Sequence, residues 1–139
     1  MNTRIYILFS MIFFAGCSST PSSDSVIASK LAGTWDETPT SNCGVNYHTI
    51  SFKDSMLELK YVEKGYISQD DARQVLRYNI LSTEDEFLRV QLVGETRLDN
   101  EGHPVVWHIK PRGNDQYCWG RDDWPKDGCT PPRYKCNSN

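Results

Sequence analysis

Alternation of apolar and polar residues along four segments is the feature that most constrains what this chain can fold into. Successive side chains of a β-strand point to opposite faces, so a period of two is typical of a strand with one buried face. The four segments are 57–61, 76–80, 88–92 and 105–109. Weaker alternation occurs at 33–37, 45–52, 96–98 and 116–120. The pattern therefore predicts about eight strands.

Turn-forming residues separate these strands. Gly, Asn, Asp or Ser occur in each connecting interval and tolerate the backbone conformations of tight turns. The intervals are 53–55, 83–85, 99–102 and 112–115. Short connections join neighbouring strands antiparallel, so we expect one all-β domain, either a small antiparallel β-barrel or a β-sandwich. A capping-box pattern that begins at Ser68 also predicts one or two helical turns over 69–74.

The amino terminus has the three parts of a secretory signal. A charged start ends at Arg4, an apolar run covers 5–14, and small residues precede Cys17. The apolar run is too short to cross a bilayer as a stable helix. The motif Phe-Ala-Gly-Cys at 14–17 resembles the lipobox of bacterial lipoproteins. In that family, the signal peptide is cut before the cysteine, and the cysteine thiol carries the lipid.

The lipobox resemblance implies a cellular location for the protein. Residues 1–16 would be removed and Cys17 would be lipidated, with each buried acyl methylene contributing about 0.8 kcal/mol to membrane binding. Ser18 follows the cysteine, whereas an aspartate there would imply retention in the inner membrane. The resemblance thus implies an outer-membrane lipid anchor, with the domain facing the periplasm or the cell surface. We expect a flexible tether over 17–29, because it begins with a Ser- and Pro-rich stretch, and the β domain over 30–139.

Four further cysteines predict crosslinks within the domain. An even number of cysteines in an exported chain implies disulfides, whereas zinc ligands usually come in closely spaced pairs. Three pairings are open. We favour the pairing in which a short bridge closes the segment rich in Gly, Pro and Asp, while a long bridge joins the two ends of the domain. These bridges are Cys118–Cys129 and Cys43–Cys136.

The start of the β domain carries a second resemblance. Gly33 and Trp35 form a Gly-x-Trp motif that resembles the first strand of lipocalin-like and other calycin barrels. The resemblance implies a closed barrel in which Trp35 plugs one end. It also implies that an arginine from near the carboxyl terminus stacks on Trp35, and Arg121 and Arg133 are the candidates.

Catalytic motifs are missing from the sequence. It has no phosphate-binding glycine loop, no histidine metal box and no nucleophile elbow. Among the histidines His48, His103 and His108, the last alternates with apolar residues and is expected to face solvent. A formal net charge of −3 and the lack of a basic stripe argue against a nucleic-acid partner. We therefore expect no enzymatic activity, no metal site and no cofactor.

Aromatic and arginine side chains near the carboxyl terminus indicate a binding surface. Trp, Tyr and Arg dominate the energetics of protein interfaces, and a loop closed by a disulfide loses less entropy on binding. We predict that these residues contact a partner, while Trp119 and Trp124 also suit a buried role. The residues are Tyr117, Trp119, Arg121, Trp124 and Tyr134.

Three classes of function remain open at this point. We favour a non-catalytic lipoprotein that binds a periplasmic protein as an accessory factor or inhibitor, an architecture that resembles periplasmic lysozyme inhibitors. The alternative is a lipocalin-like carrier of a small apolar ligand, which needs a partly empty interior. An enzyme is the third class. Nine large residues are expected to fill the interior and so argue against the carrier: Leu59, Tyr61, Leu76, Tyr78, Ile80, Leu88, Leu92, Trp107 and Ile109.

Overall fold

A closed antiparallel barrel of eight strands forms the fold. The computed structural model describes residues 23–40, 42–44, 46–63 and 75–137. The strands follow one another around the barrel in chain order, and β8 pairs with β1 to close it. The elements are α1 (Ser23–Leu31), β1 (Gly33–Asp36), β2 (Asn46–Lys53), β3 (Met56–Glu63), β4 (Val75–Thr83), β5 (Leu88–Leu92), β6 (Trp107–Arg112), β7 (Gln116–Arg121) and β8 (Arg133–Lys135).

The predicted all-β class is confirmed, and the barrel rather than the sandwich is the architecture. Strands β3, β4, β5 and β7 contain the segments predicted from alternation, and β6 begins two residues later than predicted. The weak segment 96–98 is not a strand; only an isolated bridge joins Leu98 to Pro104. Strand β8 was missed because three residues are too few to show a period. The lipobox with Cys17 and the possible helix over 69–74 lie outside the described residues.

Helix α1 precedes the barrel and packs against it. Ile27 and Leu31 are 5% and 0% exposed and belong to the core cluster. They lie four residues apart, so both side chains project from one face of the helix. This helix occupies residues that the sequence analysis assigned to a flexible tether over 17–29. The folded domain therefore extends back to at least residue 23.

Large side chains fill the interior of the barrel. The buried cluster includes Leu57, Leu59, Val90, Ile109 and Tyr117, each 0% exposed. All nine residues predicted to point inward belong to this cluster or pack against it. The inward pattern is thus confirmed, since strand alternation alone decides which residues face the interior.

Trp35 lies inside the barrel next to the end of α1. Its side chain is buried, and its indole Nε1 donates a hydrogen bond of 2.8 Å to the carbonyl oxygen of Leu31. The ring of Tyr117 meets it edge-on, with the ring centroids 4.8 Å apart. Gly33 begins β1 with φ of 135°, a backbone conformation that glycine adopts without steric cost.

The expectation that an arginine stacks on Trp35 is wrong. Lys135 on β8 occupies this position, with its Nζ 5.4 Å from the centroid of the indole ring. Arg121 lies over two other tryptophans, and Arg133 pairs with Glu37 at 3.4 Å. Lys135 is directly opposite Trp35 in the β1–β8 pairing, and this register brings the lysine over the ring.

The two predicted disulfides are confirmed. Cys43 pairs with Cys136 and Cys118 pairs with Cys129, each with a Cα–Cα distance of 5.8 Å. The long bridge ties the β1–β2 connection to the residue that follows β8. The short bridge closes the loop that follows β7.

Candidate functional site

The two ends of the barrel differ in what covers them. At the end where β1 begins, α1 packs against the strands, and the turns after β2, β4 and β6 lie there; we call it the α1 end. At the opposite end, β6 begins with Trp107 and β7 ends with Arg121. The connection 93–106 and the loop 122–132 follow β5 and β7 at this end. We call it the aromatic end because three tryptophans meet there.

Trp107 is the centre of the aromatic end. The guanidinium carbon of Arg97 lies 5.2 Å from its ring centroid, and that of Arg121 lies 5.6 Å away. The rings of Trp119 and Trp124 meet it edge-on at 6.0 and 6.2 Å. An arginine near the face of an indole is attracted by the ring quadrupole. Trp107 is thus held by two cations and two aromatic rings.

Two carboxylates orient the arginines. Arg97 donates from Nε and Nη2 to the two oxygens of Glu95, each at 2.7 Å. Arg121 makes the same two-pronged contact with Asp123, each bond at 2.8 Å. The side chains of Glu95 and Asp123 are only 3% and 9% exposed. Two parallel hydrogen bonds fix the plane of a guanidinium, so these acids hold the arginines in place over Trp107.

Glu95 also contacts the tryptophan itself. The indole Nε1 of Trp107 donates to Glu95 Oε2 at 3.4 Å. The hydrogen bonds from the Arg97 side chain, with further bonds from its backbone and from Trp107, lower the pKa of Glu95 to about 2. The carboxylate of Glu95 is therefore ionised at neutral pH.

Backbone contacts join the two loops into one rim. The amide of Asn100 donates to Asp123 Oδ2 at 3.3 Å, and the amide of Asp122 donates to the carbonyl oxygen of Val106 at 3.2 Å. The side chain of Asp122 accepts hydrogen bonds from Arg89 and contacts His108 on the outer wall. These bonds connect the 93–106 connection to the loop that carries Trp124.

The rim presents apolar and cationic groups to solvent. Val93 and Leu98 are 52% and 60% exposed, and the Arg97 side chain is 56% exposed. Trp107 and Trp124 are half-buried. Half-buried tryptophans beside arginines, with exposed apolar groups around them, are typical of the centre of a protein interface.

The structure brings together three of the five residues predicted to contact a partner. Trp119, Arg121 and Trp124 all belong to the aromatic end. Tyr117 does not fit this role, because it is 0% exposed and points inward toward Trp35. Tyr134 is not joined to the cluster either, since its strand neighbours are Asp36 and Gln116.

Sequence reasoning missed Arg97 and Glu95 and assigned Trp107 to the core alone. The signal that was available is the Glu-x-Arg pair inside an unusually long connection between strands. Long ordered connections are often functional. The side chain of His108, expected to face solvent, is only 14% exposed, because it stacks on Phe87 and contacts Asp122.

The part of the chain that the structure describes contains neither a candidate metal site nor a candidate membrane-spanning helix. No group of three His, Cys, Asp or Glu side chains there is arranged to hold a metal ion. No helix within those ranges is long and apolar enough to cross a membrane. Comparison of the chain with protein-family models, curated proteins and solved structures gives no match.

Proposed function

We propose that this chain is a lipoprotein anchored in the outer membrane, and that it binds a periplasmic protein partner through the aromatic end without catalysis. Its role is that of an accessory factor or an inhibitor. The proposed outer-membrane location rests on the lipobox at 14–17. The binding role rests on one observation, the placement of the Arg97 and Arg121 guanidinium groups over the ring of Trp107, beside the half-buried Trp124.

Preorganisation supports this role. The acids Glu95 and Asp123 already hold both arginines in place, so little side-chain entropy remains to be lost on binding. Because each guanidinium has a carboxylate partner, the patch attracts by shape, apolar contact and aromatic stacking more than by net charge. The partner surface that fits best is therefore apolar or aromatic, with backbone carbonyls to accept the remaining guanidinium hydrogens.

The interior gives less support to a carrier of a small apolar ligand. Such a carrier needs an empty interior of several hundred cubic ångströms. Here Tyr117, Trp119 and Tyr78 pack against one another inside the barrel, with ring centroids 6.3 Å apart for the first two and 5.4 Å for the last two. We therefore place binding on the rim and not in the interior.

Affinity capture from a periplasmic extract tests this proposal. The immobilised protein is compared with Trp124→Ala, and retained proteins are quantified by mass spectrometry. We expect at least one protein whose recovery falls by about tenfold or more in the variant, as when an interface hot spot is truncated.

Arg77→Ala is the control, because the Arg77 side chain is 56% exposed, lies on β4 and pairs with Glu58 on β3, so it is not part of the cluster around Trp107. Recovery of the same protein should be unchanged in this variant. Identical recovery with wild type and Trp124→Ala would remove the aromatic end as the binding surface.

A further inference from the structure

A groove on the outer wall of the barrel forms a second surface, near the α1 end. Its volume is about 440 Å³, which is within the range of small-ligand sites. It lies between α1, the turns that follow β4 and β6, and the loop closed by the Cys118–Cys129 bridge. The side chains of Ile27, Phe87 and Pro111 give it an apolar portion.

Three exposed cations line the groove. Lys30, Arg112 and Lys126 have no ion-pair partner among the residues that the structure describes. Lys110 is different: its Nζ donates to the carbonyl oxygens of Lys126 and Gly128 at 2.8 and 3.5 Å. Lys110 therefore holds the loop that forms one wall, and the other three cations are available to a ligand.

Three exposed acids line the same groove. Asp85, Glu86 and Asp127 likewise make no ion pair within the described ranges. Unpaired charges of both signs within one groove complement a ligand that also carries both signs. A phosphate accepts charge-assisted hydrogen bonds from lysine and arginine, and a primary ammonium donates them to carboxylates.

The position of the groove indicates where such a ligand comes from. Only five residues lie between Cys17 and Ser23, where α1 begins, and the six residue steps from one to the other span at most about 20 Å. Helix α1 itself lines the groove through Ile27 and Lys30. A lipid on Cys17 therefore keeps this groove within reach of the lipid headgroups.

We propose that the groove binds the phosphoethanolamine headgroup of membrane lipids. The cations Lys30, Arg112 and Lys126 bind the phosphate. The carboxylates of Asp85, Glu86 and Asp127 bind the ammonium. This inference rests on the proposed lipid anchor. Headgroup binding holds the α1 end against the membrane, so the aromatic end points away from it and meets partners from the aqueous side.

Lysine footprinting on vesicles tests the proposal. The protein, purified from cells with its native amino terminus, is acetylated by a water-soluble reagent and analysed by mass spectrometry. Vesicles of phosphatidylethanolamine with phosphatidylglycerol are compared with vesicles of phosphatidylcholine with phosphatidylglycerol, whose choline has no hydrogen to donate. The lipid amines also consume reagent, so each rate is divided by that of Lys60 in the same sample after a brief exposure. We expect severalfold lower relative acetylation of Lys30 and Lys126 only on the ethanolamine vesicles.

Lys60 is the internal control, because it is exposed on β3, away from β6 and β7 in the strand order. Arg112→Gln should weaken headgroup binding by about tenfold, which corresponds to one charge-assisted hydrogen bond, and so remove most of the protection of Lys30, whereas Arg77→Gln should leave the protection unchanged. Equal protection on both vesicle types, or equal protection of Lys60, would overturn the proposal.

Two further measurements separate the sources of failure. The mass of the amino-terminal peptide reports whether Cys17 is lipidated, and an unmodified Cys17 would refute the anchor. In that case the vesicle comparison still tests headgroup binding, because the vesicles are added in excess and the groove can bind them without the anchor. Soluble glycerophosphoethanolamine that protects Lys30 as strongly as the vesicles do would show that the groove takes a free solute, which contradicts the membrane proposal.

Discussion

His48 lies inside the barrel and is 0% exposed. A hydrogen bond joins its Nε2 to the hydroxyl of Tyr117, while Nδ1 has no hydrogen-bond partner among the described residues. Burial lowers the pKa of His48 to about 4, with a further decrease from the positive charge of Arg133 and an opposing effect of Asp36. The histidine is therefore neutral at neutral pH.

The pKa of His48 predicts acid sensitivity. Between the unfolded value near 6.5 and the folded value of about 4, the unfolded chain binds one proton more than the folded chain. The free energy of unfolding should therefore decrease as the pH falls through this window, by up to roughly 3 kcal/mol. Urea denaturation at a series of pH values between 7 and 4 measures this slope.

The variant His48→Phe should flatten the pH slope, whatever its effect on stability at pH 7. His103→Phe is the control for replacing an imidazole, because the His103 side chain is 69% exposed and lies in the 93–106 connection. The carboxylates with lowered pKa values, such as Glu95 with an ordinary value of 4.5, decrease the free energy of unfolding below about pH 5, so the slope between pH 7 and 5 is the part that reports His48. A slope that persists in His48→Phe would show that another group is responsible.

At the scale of elements, β7 and the loop that follows it depend on a close backbone contact. A Cβ on Gly120 would lie 2.9 Å from the carbonyl oxygen of Gly128, and a backbone oxygen cannot move away as a side chain can. The amide of Thr130 donates to the carbonyl oxygen of Trp119 at 2.8 Å in the same region. The loop thus packs directly on the outer face of β7.

This contact predicts that Gly120→Ala destabilises the protein. The added methyl group must displace the loop or the strand, which costs about 1–3 kcal/mol as for other overpacked sites. Thermal unfolding measures the effect. Gly44→Ala is the control, since the nearest atom to a Cβ there is the side-chain oxygen of Asn42 at 3.2 Å, the end of an exposed side chain that can rotate. Equal unfolding temperatures for wild type and Gly120→Ala would contradict the tight contact.

Only some secondary-structure elements can be predicted from the alternation of apolar and polar residues. Strands of five to nine residues, such as β3, β4 and β5, are long enough for several alternations. Among the side chains of α1 that the structure describes, Ile27 and Leu31 belong to the core, and two apolar positions in a Ser-rich stretch resembled a tether. Strand β8 has three residues, all of them polar or aromatic. For both, packing rather than local pattern determines the conformation.

At the scale of the whole molecule, closure of the barrel depends on its shortest strand. β8 pairs with β1 and β7 through only two residue pairs each. The next residue is Cys136, which forms the bridge to Cys43, and its amide donates to the carbonyl oxygen of Thr34 at 2.9 Å. The amide of Lys135 donates to the carbonyl oxygen of Asp115 at 2.8 Å. The bridge therefore fixes the strand that closes the barrel.

Removal of the long bridge should cost more than removal of the short one. The loops closed are 93 and 11 residues in sequence separation, for which the chain-entropy model gives about 4–5 and about 3 kcal/mol. Double Cys→Ser variants and guanidinium denaturation measure the two losses. Hydrogen exchange at Lys135 and Cys136 should accelerate only when Cys43–Cys136 is removed. The opposite order of stability would contradict the closing role of this bridge.

Sequence alone determined most of the strand pattern, the inward residues and the presence of two disulfides, because alternation, turn chemistry and cysteine number can be read without the fold. Which of the three possible disulfide pairings forms was decided by the tertiary structure. Only the tertiary structure decided that Lys135 lies over Trp35, that Tyr117 is buried, and that Arg97 and Arg121 meet at Trp107. These contacts join residues far apart in sequence, and closure of the barrel sets their distances. The physical reason is that a strand specifies which face a side chain takes, whereas its neighbours on that face depend on the register of the other strands.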